Sequence, residues 1–523
     1  MRSIRPAYRA ESLTAQRGEV LVGGVPTSLG ASERPPARAR REVAPHTIVS
    51  RWDTATHQDG GLVSTVDDEA PRPVPGRVSV PGGELPTGHG GRTPVRADRP
   101  FLIGMGIIVA VALAVRVWWV LVGYSDYKVN GDALYYHLQA WTLADGKGFI
   151  NPFDWYERGK EIQLAANPPS YAIYLGFVSK LGFRSVDAHR LASALLGTGG
   201  VAMIGLVGRQ IASRRAGLIA AAIAAVYANL WINDGMLLSE PMTVLCMPIV
   251  LYAAYAFWQR REVSRAVGLG LALGLAALSR GEVVFLAPTL VLPLLYGMRE
   301  IAIAQRLKLL VVAAVAMLVL VGPWVAYNLT RFEKPVFMTD HWGTVLKAAS
   351  CDEAWYGDYR GWYWFCQKTQ PPGDYSERDV VLRNEAIDYT KARLDDLPGV
   401  VAARVGRLWD VYHPAQTIRY NATWEGRTQG ASVAAFWSYW ALLPFAIGGL
   451  VVLKRRGRPI SPIIAPAITV TIAAATTYGV LRYRVSVEPG FVIVAGVALD
   501  ALWTRFRRPA LPAPPPEPHH AAG

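Results

Sequence analysis

Asp132 is the carboxylate best placed for chemistry in this chain. It stands in NGDALYYHLQAWTLADGKGF, residues 130–149, directly after the first membrane-length apolar run. An acid there lies just outside a bilayer, where a base can meet a lipid-borne substrate. Gly131 before it allows close backbone approach. Asp132, Tyr136 and Gln139 recur at roughly helical spacing, so one helix face can carry all three. Tyr136 and its neighbour His137 are candidate substrate contacts. His137 has no second His at ligand spacing and does not make a zinc site. Two more acids, Asp234 and Glu240, flank a turn between apolar runs. Pro241 suits the first turn of a helix, which puts Glu240 at that helix's N-terminus. Arginines complete the set: Arg280 with Glu282 in ALSRGEVVFL, and Arg482 and Arg484 in LRYRVSVEP. A guanidinium stays charged and donates several hydrogen bonds in one plane, which suits a phosphate. The competing reading makes these arginines snorkelling or salt-bridged residues of the membrane interface. Snorkelling is the expectation for Arg116, which lies inside the first apolar run.

The elements that must position these residues are membrane spans. Apolar residues make up 51% of the 523 and charged ones only 18%, as in a polytopic membrane protein. The 17 Trp and 23 Tyr suit interfacial belts and sugar-stacking surfaces. A net charge of +14 suggests nucleic acid until the charges are placed: Lys and Arg cluster in short loops between apolar runs, so no nucleic-acid partner is expected. The fold class expected is an all-α polytopic membrane protein. Its ten spanning helices fall near 101–123, 188–208, 215–232, 238–258, 266–279, 283–297, 309–329, 433–453, 460–480 and 488–504. The GTGG run at 197–200 should permit close helix packing.

Loop charge orients the spans. Basic clusters at Arg209–Arg215, Arg260–Arg265, Arg299–Lys308, Lys454–Arg458 and Arg505–Arg508 all fall on one side, which the positive-inside rule makes cytoplasmic, with both termini. The chain divides into a disordered cytoplasmic region 1–99, a transmembrane core 100–329 with a first outer loop 124–187, a large extracytoplasmic loop 330–432, C-terminal spans 433–508 and a disordered tail 509–523. The acids and arginines above then converge on the outer face of a plasma (inner) membrane. Cys351 and Cys366 lie in the largest outer loop, where a disulfide is plausible; Cys246 sits in an apolar run. The chain contains no GxxxxGK[ST] loop and no GxSxG elbow. An acidic site can bind a divalent ion through carboxylate oxygens, but spacing alone does not show one.

The motif order carries a resemblance: Asp132 after the first span, an aromatic segment with Asn167-Pro168-Pro169-Ser170, the Ser239-Glu240-Pro241 turn, LSRGE, GPWVAYNLTRFEKPVFMTDHWG, the Cys-bounded CDEAWYGDYRGWYWFC, and RYRVSVEP. Over roughly 100–505 this resembles the GT-C membrane glycosyltransferases, in particular the bacterial protein-mannosyltransferase and aminoarabinose-transferase-like superfamily (glycosyltransferase family 39-like). The composition and the Cys-bounded loop look actinobacterial, implying decaprenyl phosphate as the lipid. The resemblance implies a polyprenyl-phosphate-sugar donor, an outer-face glycan, lipid or protein acceptor hydroxyl, and inversion at the anomeric carbon. The family's first-loop acid falls on Asp132 as general base, and its second acidic turn near Glu240, with Asp234 beside it. Arg280, with Arg482 or Arg484, would hold the leaving phosphate. Trp355 and Trp362 would stack on sugar rings. The chain departs from the pattern where Ala133, not a second acid, follows Asp132. It departs again at Asn167, where aminoarabinose transferases carry a Lys. The rival classes are a lipid-linked sugar flippase, which predicts deep charges and repeat symmetry, and a non-catalytic envelope-assembly subunit.

Overall fold

The computed structural model describes residues 95–507. The disorder expected for residues 1–94 and 509–523 falls outside these. Fourteen longer helices organise the described part. They are α1 (Val95–Trp118), α2 (Gly131–Ala144), α3 (Ser170–Lys180), α4 (Val186–Ile211), α5 (Arg214–Val226), α6 (Glu240–Gln259), α7 (Val263–Ala277), α8 (Leu286–Gly297), α9 (Ile303–Leu329), α10 (Tyr375–Lys391), α11 (Leu397–Leu408), α12 (Gln429–Arg455), α13 (Ser461–Thr476) and α14 (Glu488–Phe506). Among the described residues the only β pairing is an isolated bridge between Ile150 and Gln163.

The chain is a multi-pass, all-helical membrane protein. Among the described residues six helices are long and apolar enough to cross: 98–123, α4, α6, α9, α12 and α14. Two further apolar helices, α5 and residues 228–235, meet at a 65° bend. The remaining expected spans correspond to shorter apolar helices, α7, 281–297 and α13. The break corrects the continuous span expected over 215–232. Tyr227 adopts extended backbone there, and its hydroxyl donates to Glu488 Oε2 at 2.7 Å while accepting from Asn229 Nδ2 at 3.1 Å. The span expected to reach 480 stops at Thr476. The Gly479 N–H bonds Gly361 O at 2.8 Å instead of continuing the helix. The first helix begins at Val95, inside the region expected to be disordered, and Asp98 ties that end to Arg209 and Arg214 at 3.0 and 2.8 Å.

Small residues and a fully buried ion pair help to hold the membrane core. Gly200 lies against α6 so closely that a methyl group would meet the Val244 carbonyl at 2.8 Å. Arg116 does not snorkel. It pairs with Asp234 at 2.9 Å, both side chains being fully buried. Gly197 leaves the room they need, since a Cβ there would sit 2.6 Å from Asp234 and 2.9 Å from Arg116. Removing one member of a buried pair leaves an uncompensated charge, so Arg116→Leu should destabilise by roughly 3–5 kcal/mol, and the double change Arg116→Leu with Asp234→Leu should recover much of the loss. Thermal unfolding of the detergent-purified variants measures both, and a single variant as stable as the parent would refute the pair's role.

Candidate active site

Four segments distant in sequence meet at the Arg482 guanidinium, and a fifth, carrying Arg280, joins them through Glu240. Glu240 opens α6, where the positive end of the helix dipole favours a carboxylate. It is fully buried, and its Oε1 accepts from Arg482 Nε at 2.6 Å and from Arg280 Nη1 at 2.9 Å. Arg482 sits on a 3-10 turn, Leu481–Ser486, between α13 and α14. Its Nη1 donates both to Asp132 Oδ2 at 3.1 Å and to Glu425 Oε2 at 3.2 Å. Arg280, at the joint after α7, spends its Nε on Glu282 at 2.5 Å and lies over the Tyr483 ring at 5.7 Å. Burial works against the charge on both arginines, but the surrounding carboxylates outweigh it and hold both pKa values above the ordinary range.

Asp132 is the accessible member. Gly131 takes a left-handed φ of +51°, which starts α2 and leaves Asp132 in its first turn, about half exposed. Tyr363 donates its hydroxyl to Glu425. Burial, and then that carboxylate, push the phenol pKa up, so the proton stays on the tyrosine. A third guanidinium borders the cluster. Arg427 is buried and donates Nη2 to Asn233 Oδ1 at 3.1 Å, while its Nε and Nη1 find no partner among the described residues. The charges of Glu240 and Glu425 act on it.

The structure thus brings together Asp132, Glu240, Arg280 and Arg482 and leaves other expected residues elsewhere. Arg484, two residues from Arg482, points the other way: Nε donates to Glu488 at 2.6 Å and Nη1 to Asp410 at 2.7 Å, with Tyr439 beneath at 3.9 Å. Those bonds leave it no fork for a phosphate. Asp234 is occupied by Arg116. Tyr136 is buried beside the cluster, bonded to Ser239 and edge-on to Tyr171 at 5.0 Å. His137 lies on another side of α2, its Nδ1 3.0 Å from His189 Nδ1; burial, then His189 and Arg190, lower its pKa to about 3, so it is neutral. Asn167 is half-buried in the turn before α3. Trp355 and Trp362 are 0% and 1% exposed and offer no face to a sugar. The Cys351–Cys366 disulfide closes the stretch that folds them inward.

Sequence reasoning missed Glu425, Tyr363 and Arg427. The signal was WEGR, residues 424–427, an acid and a base beside a tryptophan just before a span. Trp424 and Phe365, with centroids 5.8 Å apart, are the exposed aromatics next to Glu425. For a divalent ion the donors do not fit. No group of three or more His, Cys, Asp or Glu among the described residues is arranged to hold one, and the cluster's carboxylates are already bonded to guanidinium groups.

No curated protein matches the sequence. Solved structures similar in fold include the oligosaccharyltransferase of Archaeoglobus fulgidus in its apo form (TM-score 0.44, 16% identity, 78% of this chain and 51% of that one). The same archaeal enzyme, AglB, in complex with an inhibitory peptide and a dolichol-phosphate also matches (TM-score 0.44, 16% identity, 78% and 51%). So does ArnT from Cupriavidus metallidurans bound to undecaprenyl phosphate (TM-score 0.37, 17% identity, 77% and 78%). The chain spans about half the length of the archaeal enzyme. Asp132, Glu425 and Arg482 lie outside the family-model match, while Glu240, Arg280 and Glu282 lie within it. That match covers residues 166–327, which are similar to the dolichyl-phosphate-mannose-protein mannosyltransferase family, a GT-C family.

Proposed function

We propose that this chain is an integral membrane glycosyltransferase that moves a sugar from a polyprenyl-phosphate-sugar donor to an acceptor hydroxyl, with inversion. The site lies at the extracytoplasmic face of the plasma (inner) membrane, and both termini are cytoplasmic. The observation that carries this reading is the junction at Arg482, which ties a half-exposed acid of the first outer segment to buried Glu240 and to Glu425. The family match over residues 166–327 supports the reaction class. The basic loops support the sidedness.

The geometry suits an exchange of anions. Four carboxylates bond the two arginines, so an arriving lipid phosphate competes with them. The weakest hold is at Arg482 Nη1, shared by Asp132 and Glu425 at 3.1 and 3.2 Å, whereas the Nε bond to Glu240 is 2.6 Å. A phosphate oxygen taking Nη1 releases Asp132 as the donor arrives. Asp132 then removes the proton from the acceptor hydroxyl. The hydroxyl oxygen forms the new bond to the anomeric carbon from the face opposite the phosphate. The old C–O bond breaks with its electron pair on the phosphate. Arg280, Arg482 and the unpaired N–H groups of Arg427 stabilise the charge that grows there. Trp424 and Phe365 offer apolar faces for a sugar ring.

The test uses protein purified in detergent, radiolabelled polyprenyl-phosphate mannose and arabinose, and native membranes as the source of glycan, lipid or protein acceptors. Label transferred by the wild type and not by Asp132→Asn supports the proposal. Labelled lipid crossing vesicle bilayers without transfer would replace it with a transporter.

A further inference from the structure

We propose that Asp340 and His341 form the proton exit of this site, with His341 Nε2 as the final acceptor of the proton that leaves the acceptor hydroxyl. The inference rests on the glycosyl-transfer reading above.

The two residues are a carboxylate-oriented imidazole. Asp340 is 2% exposed and fixed at both oxygens: Oδ2 accepts from the Ala165 N–H at 2.6 Å, and Oδ1 faces His341 Nδ1. That partner assigns the proton to Nδ1 and leaves the lone pair on Nε2. The dyad is stitched to the first outer segment. Asp340 N donates to Ala165 O at 3.0 Å, Thr339 Oγ1 donates to Ala166 O at 2.8 Å, and His341 N donates to Thr339 Oγ1 at 3.0 Å. The imidazole stacks on Tyr375 with centroids 6.1 Å apart and a 22° tilt, and a third of its side chain is exposed. A cleft of about 250 Å³, lined in part by Lys334, Thr339, Asp379 and Arg383, borders the segment that leads into the dyad.

The dyad also stands in the field of the cluster. Asp132 acts electrostatically on His341, and both Asp132 and Asp340 act on Tyr135, three residues along α2 from Asp132. The groups facing the ring are Asp340 behind it, Asp132 from α2, and Asp379 and Tyr375 from α10. Arg331, at the end of α9, acts on Asp340. A base that has taken a proton must pass it on before the next turnover. An imidazole with a carboxylate behind it has the higher proton affinity. Burial works against the imidazolium here, but Asp340, Asp379 and Asp132 outweigh it and raise the His341 pKa. The proton therefore passes from hydroxyl to Asp132 and on to Nε2, and the imidazolium discharges to solvent at its exposed edge.

A proton acceptor must be neutral to work. The rate should rise with pH through the raised His341 pKa and level off above it. In Asp340→Asn the negative partner is gone, so that limb should move to lower pH while the rate falls. In His341→Gln the limb should vanish and the rate drop by about 10²-fold, with imidazole in the buffer restoring part of it. The pH–rate profiles of wild type and both variants, with thermal unfolding as the fold control, are the experiment. His341 is partly exposed, so His341→Gln keeps the test open if Asp340→Asn fails to fold. Transfer by the wild type, with the same limb and no imidazole rescue in His341→Gln, overturns this inference alone. No transfer by the wild type from any polyprenyl-phosphate sugar overturns the glycosyltransferase reading with it.

Discussion

Asp132→Asn is expected to lower the transfer rate by about 10²–10⁴-fold, the range a positioned base contributes, while leaving the fold intact. Asparagine has the same shape, and its carbonyl oxygen can still accept the bond from Arg482 Nη1 that Asp132 Oδ2 accepts at 3.1 Å. It cannot take a proton. The side chain is 53% exposed, so the change strips no buried group of its partner. The measurement is turnover at saturating lipid donor, beside thermal unfolding of the same preparation. Turnover above a tenth of wild type with an unchanged melting curve would move the base to another residue. Glu425, sharing the same Nη1, would be the first to examine.

Glu240→Gln is expected to remove activity and stability together. This carboxylate is fully buried, and one oxygen takes bonds from two guanidinium groups at 2.6 and 2.9 Å. Glutamine keeps an acceptor oxygen but loses the charge between Arg280 and Arg482. Breaking a buried charge pair by removing one partner costs roughly 3–5 kcal/mol, and the surviving acids at Asp132, Glu282 and Glu425 should hold the loss toward the lower end. Arg482 would also lose its anchor, and with it the placement of Asp132, so transfer should fall along with the melting temperature. A variant that melts early but turns over normally would make Glu240 a structural counter-ion only. One that melts normally and does not turn over would give it a direct part in the reaction.

Both outcomes depend on contacts that span hundreds of residues, and this separates what local sequence could reveal from what it could not. The helix that carries Asp132 was legible because Gly131 and the spacing of Asp132, Tyr136 and Gln139 are local. The placement of Glu240 was legible because Pro241 marks a helix start. Trp355 and Trp362 looked like sugar platforms because aromatic content says nothing about which face of a loop is inside. The disulfide-closed stretch buries them and leaves Phe365 and Trp424 outside. Glu425 went unnoticed because a single acid in a loop of about 100 residues has no local pattern. Its meaning comes from Arg482, 57 positions away.

The amino-acid sequence by itself determined the helical, multi-pass architecture. Burying apolar length and keeping lysine and arginine out of the bilayer are local free-energy demands that each segment must meet alone. It also determined that acids and arginines stand at helix ends. The tertiary structure decided which of them meet. Arg116 found Asp234 instead of the interface, and Arg482 and Arg484, two residues apart on one turn, went to separate carboxylate clusters. Coulomb attraction depends on distance in space, and a buried charge must find whatever partner the packing brings within reach.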